Sequence, residues 1–331
     1  MRLALIGAGR IGKVHAQAID AHPAVTLSAV ADFHAPSAEA LAGQYGARVL
    51  NPEAIFESDE IDAVLIASST PTHADYLEQA ARAGKAILCE KPIALDLART
   101  RDALNVLEAH PVTFALGFNR RHDPQFAALK EAIMAGRIGE LETLSIISRD
   151  PAPPPAEYVA TSGGLFRDMM IHDFDMARWL LDEPIAHVHA EGSCLIDPAI
   201  GEHGDIDTAM VTLVTNSGRL CHINNSRRAC YGYDQRIEAF GSAGMLQAQN
   251  ETETRVRFTG EPGQVEERPK WFFLERYADA YRREIGDFVD AWQQKRAPLA
   301  DARDGFEALR LAEASLRSLQ EGRAIPLDTI A

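Results

Sequence analysis

Lys91, Asp168 and His172 are the side chains whose types and settings point most directly to chemistry in this 331-residue chain. Two segments carry them. One is Glu90-Lys91-Pro92, directly after an apolar run ending at Cys89; the other runs from Ser162-Gly163-Gly164 through Asp168 and His172 to Asp175. Histidine titrates near neutrality and suits the removal of a hydroxyl proton. A lysine ammonium can hydrogen-bond the same oxygen and stabilise developing alkoxide charge, a large effect where water is excluded. The chemistry this pairing suits is oxidation of an alcohol, with hydride leaving the carbon as the proton leaves the oxygen. On a helix, Asp168 and His172 are four residues apart and share one face, which is expected to look into an interdomain cleft. There Asp168 orients the imidazole or accepts a hydrogen bond from a neighbouring substrate hydroxyl. Taken singly, each residue has a plainer reading: Lys91 as a surface lysine, His172 as a satisfied core histidine, Asp168 as a helix cap. A metal site built from Asp168, His172, Asp173 and Asp175 is not expected, because that spacing does not face one way and no HExxH or CxxC pattern supports it.

Such a reaction needs a hydride acceptor, and the N-terminus offers a place for one. Residues 2 to 6 form an apolar run, followed by Gly7-Ala8-Gly9-Arg10-Ile11-Gly12 and a helical segment through Ile19. Glycines at 7, 9 and 12 permit a tight turn, close approach of backbone to a pyrophosphate, and close packing of helix on strand. The helix start adds amide donors. A second apolar run, Val25 to Ala31, ends at Asp32. Its carboxylate can accept hydrogen bonds from a ribose hydroxyl and would repel a 2'-phosphate. No Arg or Lys follows in Phe33-His34-Ala35-Pro36, so NAD is expected in preference to NADP. The structural alternative for Asp32 is a cap on the next helix, read from about Ser37 to Tyr45.

The elements that must position these residues follow from the apolar rhythm. Runs at 63–67, 86–89 and 113–116 alternate with helical stretches near 73–83 and 96–108, which implies a parallel sheet with helices on both faces. Lys91 then lies at the carboxyl ends of the strands, where open α/β sheets bind ligands. Beyond about residue 120, one helix (about 123–135) leads into strand-like segments near 140–149, 185–195, 207–215, 219–225, 235–240 and 244–249. A stiff extended loop is expected at 151–155, and helices near 276–294 and 303–320 close the chain. The expected organisation is an α/β Rossmann domain over 1–120 and an α+β domain with a large, mostly antiparallel open sheet over 121–331.

Composition narrows the function classes. With 33 basic and 48 acidic side chains the formal charge is -15, so no global positive field holds nucleic acid or an anionic membrane. The four cysteines, Cys89, Cys194, Cys221 and Cys230, are too few and too scattered for a disulfide framework, which favours a reducing cytoplasm. No stretch of about 18 apolar residues suggests a membrane span.

Several segments together resemble the Gfo/Idh/MocA oxidoreductase family over nearly the whole chain: GAGRIG at 7–12, EKP at 90–92, GFNRRHDP at 117–124, SRDPAPPP at 148–155, SGGLFRDMMIHDFDMARWL at 162–180 and NNSRRACYGYDQR at 224–236. The resemblance implies a Rossmann domain binding NAD and an α+β domain that binds substrate. It also implies homo-oligomers burying the outer face of the large sheet, with a tetramer expected over a dimer. It assigns catalysis to Lys91, Asp168 and His172, with a Lys91–Pro92 bond that is often cis. Cofactor contacts fall on Gly7, Gly9, Arg10, Ile11, Gly12, Asp32, Glu90 and Lys91, with Thr70 and His73 near the nicotinamide half.

Arg120, Asp150 and Tyr233 join the catalytic trio as candidates for holding substrate hydroxyls; an unpaired buried polar group costs about 1–3 kcal/mol, which penalises the wrong isomer. His122 stands where an aromatic residue is expected after NRR. The implied reaction is oxidation of an inositol ring hydroxyl, myo-inositol to 2-keto-myo-inositol with formation of NADH. The alternatives are scyllo-inositol, another cyclitol or an aldose as substrate. A non-catalytic NAD-binding sensor is disfavoured because both the lysine and the histidine are present.

Overall fold

The structure is a computed structural model that describes residues 1–261 and 263–331, apart from the side chain of Ala156. The chain forms two compact units, Met1–Asp123 with Ala278–Leu309, and Pro124–Tyr277 with Arg310–Ala331.

The first unit runs β1 (Arg2–Ile6), α1 (Arg10–Asp20), β2 (Thr26–Ala31), α2 (Ala35–Tyr45), β3 (Arg48–Val49), α3 (Pro52–Glu57), β4 (Ala63–Ile66), α4 (His73–Arg82), β5 (Ala86–Cys89), α5 (Leu97–Ala109) and β6 (Phe114–Leu116). The strands form one parallel sheet in the order β3-β2-β1-β4-β5-β6. Strands β4, β5 and β6 are buried along their whole length, as expected for a sheet covered on both faces. Each fully buried Val, Leu or Ile there contributes about 1.5–3 kcal/mol. The strand order reverses between β1 and β4, the position at which doubly wound sheets bind ligands beyond their carboxyl ends.

The second unit contains α6 (Pro124–Met134), β7 (Leu141–Arg149), α7 (Ala156–Ser162), α8 (Gly164–Asp168), α9 (Ile171–Leu181), β8 (Ile185–Ser193), α10 (Pro198–Glu202), β9 (Thr208–Thr215), β10 (Leu220–Ser226), β11 (Asp234–Gly241), β12 (Gly244–Ala248), the hairpin β13 (Arg257–Gly260) and β14 (Gly263–Glu266), and α11 (Phe273–Arg276). Next come α12 (Ala278–Gln294), α13 (Ala302–Glu321) and the edge strand β15 (Ile325–Pro326). Seven strands pair in the order β12-β11-β7-β10-β9-β8-β15. All of these pairs are antiparallel except β7 with β10, which is parallel. Alternation decides the two faces: Ile146, Ile223, Val211 and Ala239 are buried, while Met210, Leu220, Phe240 and Met245 are exposed.

Two expectations change. A single boundary at 120/121 omits the return of α12 and the start of α13 to the first unit. The cause is the stripe Ala280, Tyr281, Glu284, Ile285, Phe288, Val289 on α12, all buried, which packs against α1. The Tyr281 ring meets His15 edge-on at 5.3 Å. The Leu116 amide donates to Ala300 O at 3.1 Å, and Arg121 pairs with Asp304 at 2.9 Å. The second change is that Asp168 and His172 do not lie on one continuous helix. Asp168 ends α8, a turn at Met169-Met170 follows, and His172 is the second residue of α9. Met169, Met170 and Ile171 are all buried. The Met169 and Met170 amides both donate to Leu165 O, at 3.0 and 2.9 Å, so the regular i to i−4 ladder stops advancing and α8 ends there.

Candidate active site

The first turn of the first unit has the shape of a dinucleotide cradle. Gly7 adopts φ of +109°, and a Cβ there would stand 2.3 Å from Ala67 O; at Gly12 it would stand 1.9 Å from Gly7 O. Backbone packing alone therefore requires glycine at both positions. Gly9 differs, because an added Cβ meets no protein atom within 4 Å. Nothing in the protein demands glycine there, whereas a pyrophosphate drawing close to the backbone does. Gly9 is also the N-cap of α1 and supplies no side-chain cap, which leaves the helix start open to an anion. Arg10 is exposed and Ile11 half-buried beside it.

Asp32 follows β2 and is half-buried. One carboxylate oxygen accepts from the Ala8 amide at 2.6 Å and the other from the His34 amide at 2.8 Å. The same side chain thus fixes the glycine-rich turn and retains lone pairs for a ribose. Its N-capping alternative does not hold: α2 begins at Ala35, two residues earlier than expected, with His34 as its N-cap. These residues fit NAD, with Gly7, Gly9 and Gly12 shaping the phosphate turn and Asp32 at the ribose position.

Lys91 lies two residues beyond the end of β5, half-buried, and its bond to Pro92 is cis. Behind it Glu90 is buried, with one carboxylate oxygen 2.6 Å from His15 Nε2. Burial pushes the Glu90 carboxyl upward, but the hydrogen bond and charge of His15, helped by Lys91 and His73, hold it below its ordinary range. Glu284 of α12 is buried with no hydrogen bond to either oxygen. Burial, reinforced by Glu90 and Asp287, pushes it well above the carboxylate range. The two carboxyls are thus pushed in opposite directions, Glu90 down and Glu284 up, as like charges in one buried setting are. One oxygen of Glu90, expected as a cofactor contact, is thus bonded to His15 of α1.

His73, at the start of α4, is buried, with Nδ1 2.8 Å from Pro92 O and Nε2 3.0 Å from Ser68 O. Burial holds it below the usual histidine value, so the ring is neutral and donates to one carbonyl at a time. Its nitrogens brace the loop after β4 against the loop after β5. Thr70 opens the short turn just ahead of it, half-buried. Arg120 is buried in the turn Asn119–His122 of this same unit. The neighbouring His122 is also buried, and burial, with Arg121 and Arg296 adding to it and Asp287 opposing, pushes it down to about 4. It therefore fills the expected aromatic position as an uncharged ring.

In the second unit, pairing register gathers the remaining candidates at one end of the seven-stranded sheet. Asp150 follows β7, and its amide donates to Ser226 O at the end of β10 at 3.0 Å. Tyr233 precedes β11, whose first residue, Asp234, pairs with Arg149. It is buried, with its ring edge-on to Tyr277 at 5.9 Å. Asp168 accepts from the Tyr158 hydroxyl at 3.0 Å, and Arg227 Nη1 stands 3.6 Å from its other oxygen. His172 is half-buried at the start of α9. The next residue, Asp173, is fully buried and accepts from Asn225 at 2.9 Å.

Sequence reasoning passed over His15, Tyr158, Arg227 and Glu284. His15 had a detectable signal, since it lies three residues beyond Gly12 on the helix face that packs inward. Arg227 had none, because Arg227 and Arg228 are alike until burial separates them.

The comparisons with known proteins agree with this geometry. Residues 1–118 match the model of an oxidoreductase family with an NAD-binding Rossmann fold, and residues 126–247 match the GFO/IDH/MocA C-terminal domain. The chain is 48% identical over 327 residues to inositol 2-dehydrogenase of Rhizobium meliloti, covering 99% of each. Among solved structures, a myo-inositol dehydrogenase from Corynebacterium glutamicum is 44% identical with a TM-score of 0.95, covering 99% of this chain and 98% of that one. A scyllo-inositol dehydrogenase from Lactobacillus casei, solved with bound cofactor NAD(H) and scyllo-inositol, is 29% identical with a TM-score of 0.92 over 99% of each chain.

Proposed function

We propose a function from one premise: the chain belongs to the GFO/IDH/MocA oxidoreductase family. The reading is an NAD-dependent dehydrogenase that oxidises one ring hydroxyl of an inositol, with myo-inositol giving 2-keto-myo-inositol and NADH. The observation that carries it is full-length similarity to an inositol 2-dehydrogenase in a chain that has Lys91, Asp168 and His172.

Bound NAD supplies the hydride acceptor. His172 takes the hydroxyl proton as the carbon–hydrogen bond breaks, and its imidazole has the right intrinsic range for that duty. Lys91 donates a hydrogen bond to the same oxygen and stabilises charge as it develops. Asp168 accepts from a hydroxyl on a neighbouring ring carbon or orients His172, and Arg120, Asp150 and Tyr233 hold further hydroxyls. Thr70 and Arg10 join the glycine turn in holding the cofactor. The number of polar groups suits a polyol, because each hydroxyl that meets no partner is penalised.

The scyllo-inositol enzyme among the structural relatives supports a second substrate reading, and other cyclitols and aldoses share the same chemistry. An initial-rate panel with NAD separates these. The highest kcat/KM is expected for myo-inositol, and faster turnover of glucose, galactose or scyllo-inositol would displace that substrate assignment.

The outer face of the second unit's sheet exposes Met210, Leu220, Phe240 and Met245, a set of large apolar side chains that monomers rarely leave uncovered. This supports a homo-oligomer through that face, read as a tetramer. Sedimentation velocity at micromolar concentration is expected to give the mass of about four chains, which requires a second interface besides this self-complementary face; a dimer overturns the tetramer reading and a monomer rules the assembly out. Among the described residues no helix is long and apolar enough to cross a membrane. The four free cysteines suit work in a reducing cytoplasm.

A further inference from the structure

Arg227 has the largest fully buried side chain among the described residues, with 1% of its surface exposed. It follows the last residue of β10, and its amide donates to Asp207 O at 2.8 Å. Its guanidinium lies between two aspartates: Nη1 is 3.6 Å from Asp168 Oδ2, and Nη2 is 4.0 Å from Asp205 Oδ2. Both distances exceed a hydrogen bond, and Nε and Nη2 have no hydrogen-bond partner. The two aspartates belong to one local assembly. Asp205 receives the Leu165 amide at 3.1 Å on both oxygens, securing the start of α8, and Asp168 ends that same five-residue helix.

Stability does not explain this arrangement. A buried guanidinium with two unmet nitrogens keeps much of its desolvation penalty, and apolar replacements of buried ion pairs are often neutral or stabilising. What the arrangement does achieve is geometric. Asp168 Oδ1 is held by the Tyr158 hydroxyl, and Oδ2 faces Arg227, so the carboxylate is constrained on both sides. The planar fork of Arg227 reaches both carboxylates at once, which a lysine cannot do.

We propose that Arg227 is a positioning residue of the reaction, setting the orientation of the Asp168 carboxylate by spanning it and Asp205. The inference rests on the reading of Asp168 as a catalytic group. Its test is a double-mutant cycle on the full-length enzyme with Arg227→Met, Asp168→Asn and the double variant. The readouts are single-turnover NADH formation and KM for myo-inositol.

Arg227→Met alone is expected to slow turnover by about 10- to 100-fold. In the Asp168→Asn background it is expected to slow turnover by no more than about twofold, because residues acting through one another are not additive. Arg227→Lys keeps the buried charge, and with it the fold should Arg227→Met not fold. It is expected to lose activity several-fold in the parent and not in the Asp168→Asn background. Equal losses in both backgrounds overturn the proposal while leaving the reading of Asp168 intact. Unchanged turnover in Asp168→Asn alone overturns that reading, and the proposal with it.

Discussion

Lys91→Ala and His172→Ala each lower kcat for inositol oxidation by about 10²- to 10⁴-fold, the range for loss of a positioned acid–base group, and leave the dissociation constant of NAD within about threefold. The reasoning separates the two quantities. In the proposed roles, His172 removes a proton only as the reaction proceeds and Lys91 stabilises charge that exists only near the transition state, so neither loss is expected to weaken the resting complex much. Removing a donor aimed at a developing oxyanion typically slows a reaction by about 10²–10³-fold, which places Lys91→Ala within the same range by a different route. Stopped-flow NADH formation gives the rates, and fluorescence titration gives NAD affinity. Activity in either variant comparable to the parent refutes the chemistry assigned to that residue. Loss of NAD binding together with activity would instead show that the residue supports the fold or the cofactor.

Asp32→Ser raises the ratio of kcat/KM with NADP to that with NAD by about 10- to 100-fold. A hydrogen bond to a charged group contributes about 1.5–3 kcal/mol, and each 1.4 kcal/mol is tenfold. With Asp32 at the ribose as proposed, the substitution removes that acceptor and the repulsion that a 2'-phosphate would meet. The structure adds a consequence for absolute rates. Because the Asp32 carboxylate also receives the Ala8 and His34 amides, the variant loosens the glycine-rich turn and lowers activity with both cofactors. The ratio cancels this shared loss. An unchanged ratio removes Asp32 from cofactor selection and leaves it a structural acceptor of the turn.

Much of the first unit was legible because its constraints are local. Gly12 is required by a contact with Gly7 O within the turn itself, and fully buried strands read as unbroken apolar runs. Asp32 sits where β2 ends, so its position followed from the strand. The expected one-helix relation of Asp168 and His172 failed for the opposite reason. Four-residue spacing assumes an unbroken helix, and the Met169 and Met170 amides, both donating to Leu165 O, interrupt it between the two residues.

The same contrast separates what this chain's sequence determined from what tertiary structure decided. Residue types and short-range pattern determined the Rossmann turn and the strand-rich second half, and they singled out Lys91, Asp168 and His172 as candidates for alcohol oxidation. Those properties belong to single elements, and an element's period and end signals are written in its own residues. Tertiary structure decided that α12 returns to the first unit, that the Glu284 carboxyl is pushed up while that of Glu90 is held down, that His73 braces two loops, and that Arg227 is buried where Arg228 is not. Each of these depends on burial among residues far apart in the chain. Burial sets the energy of charges and the pairing of donors, and nothing in a residue's immediate neighbours reports it.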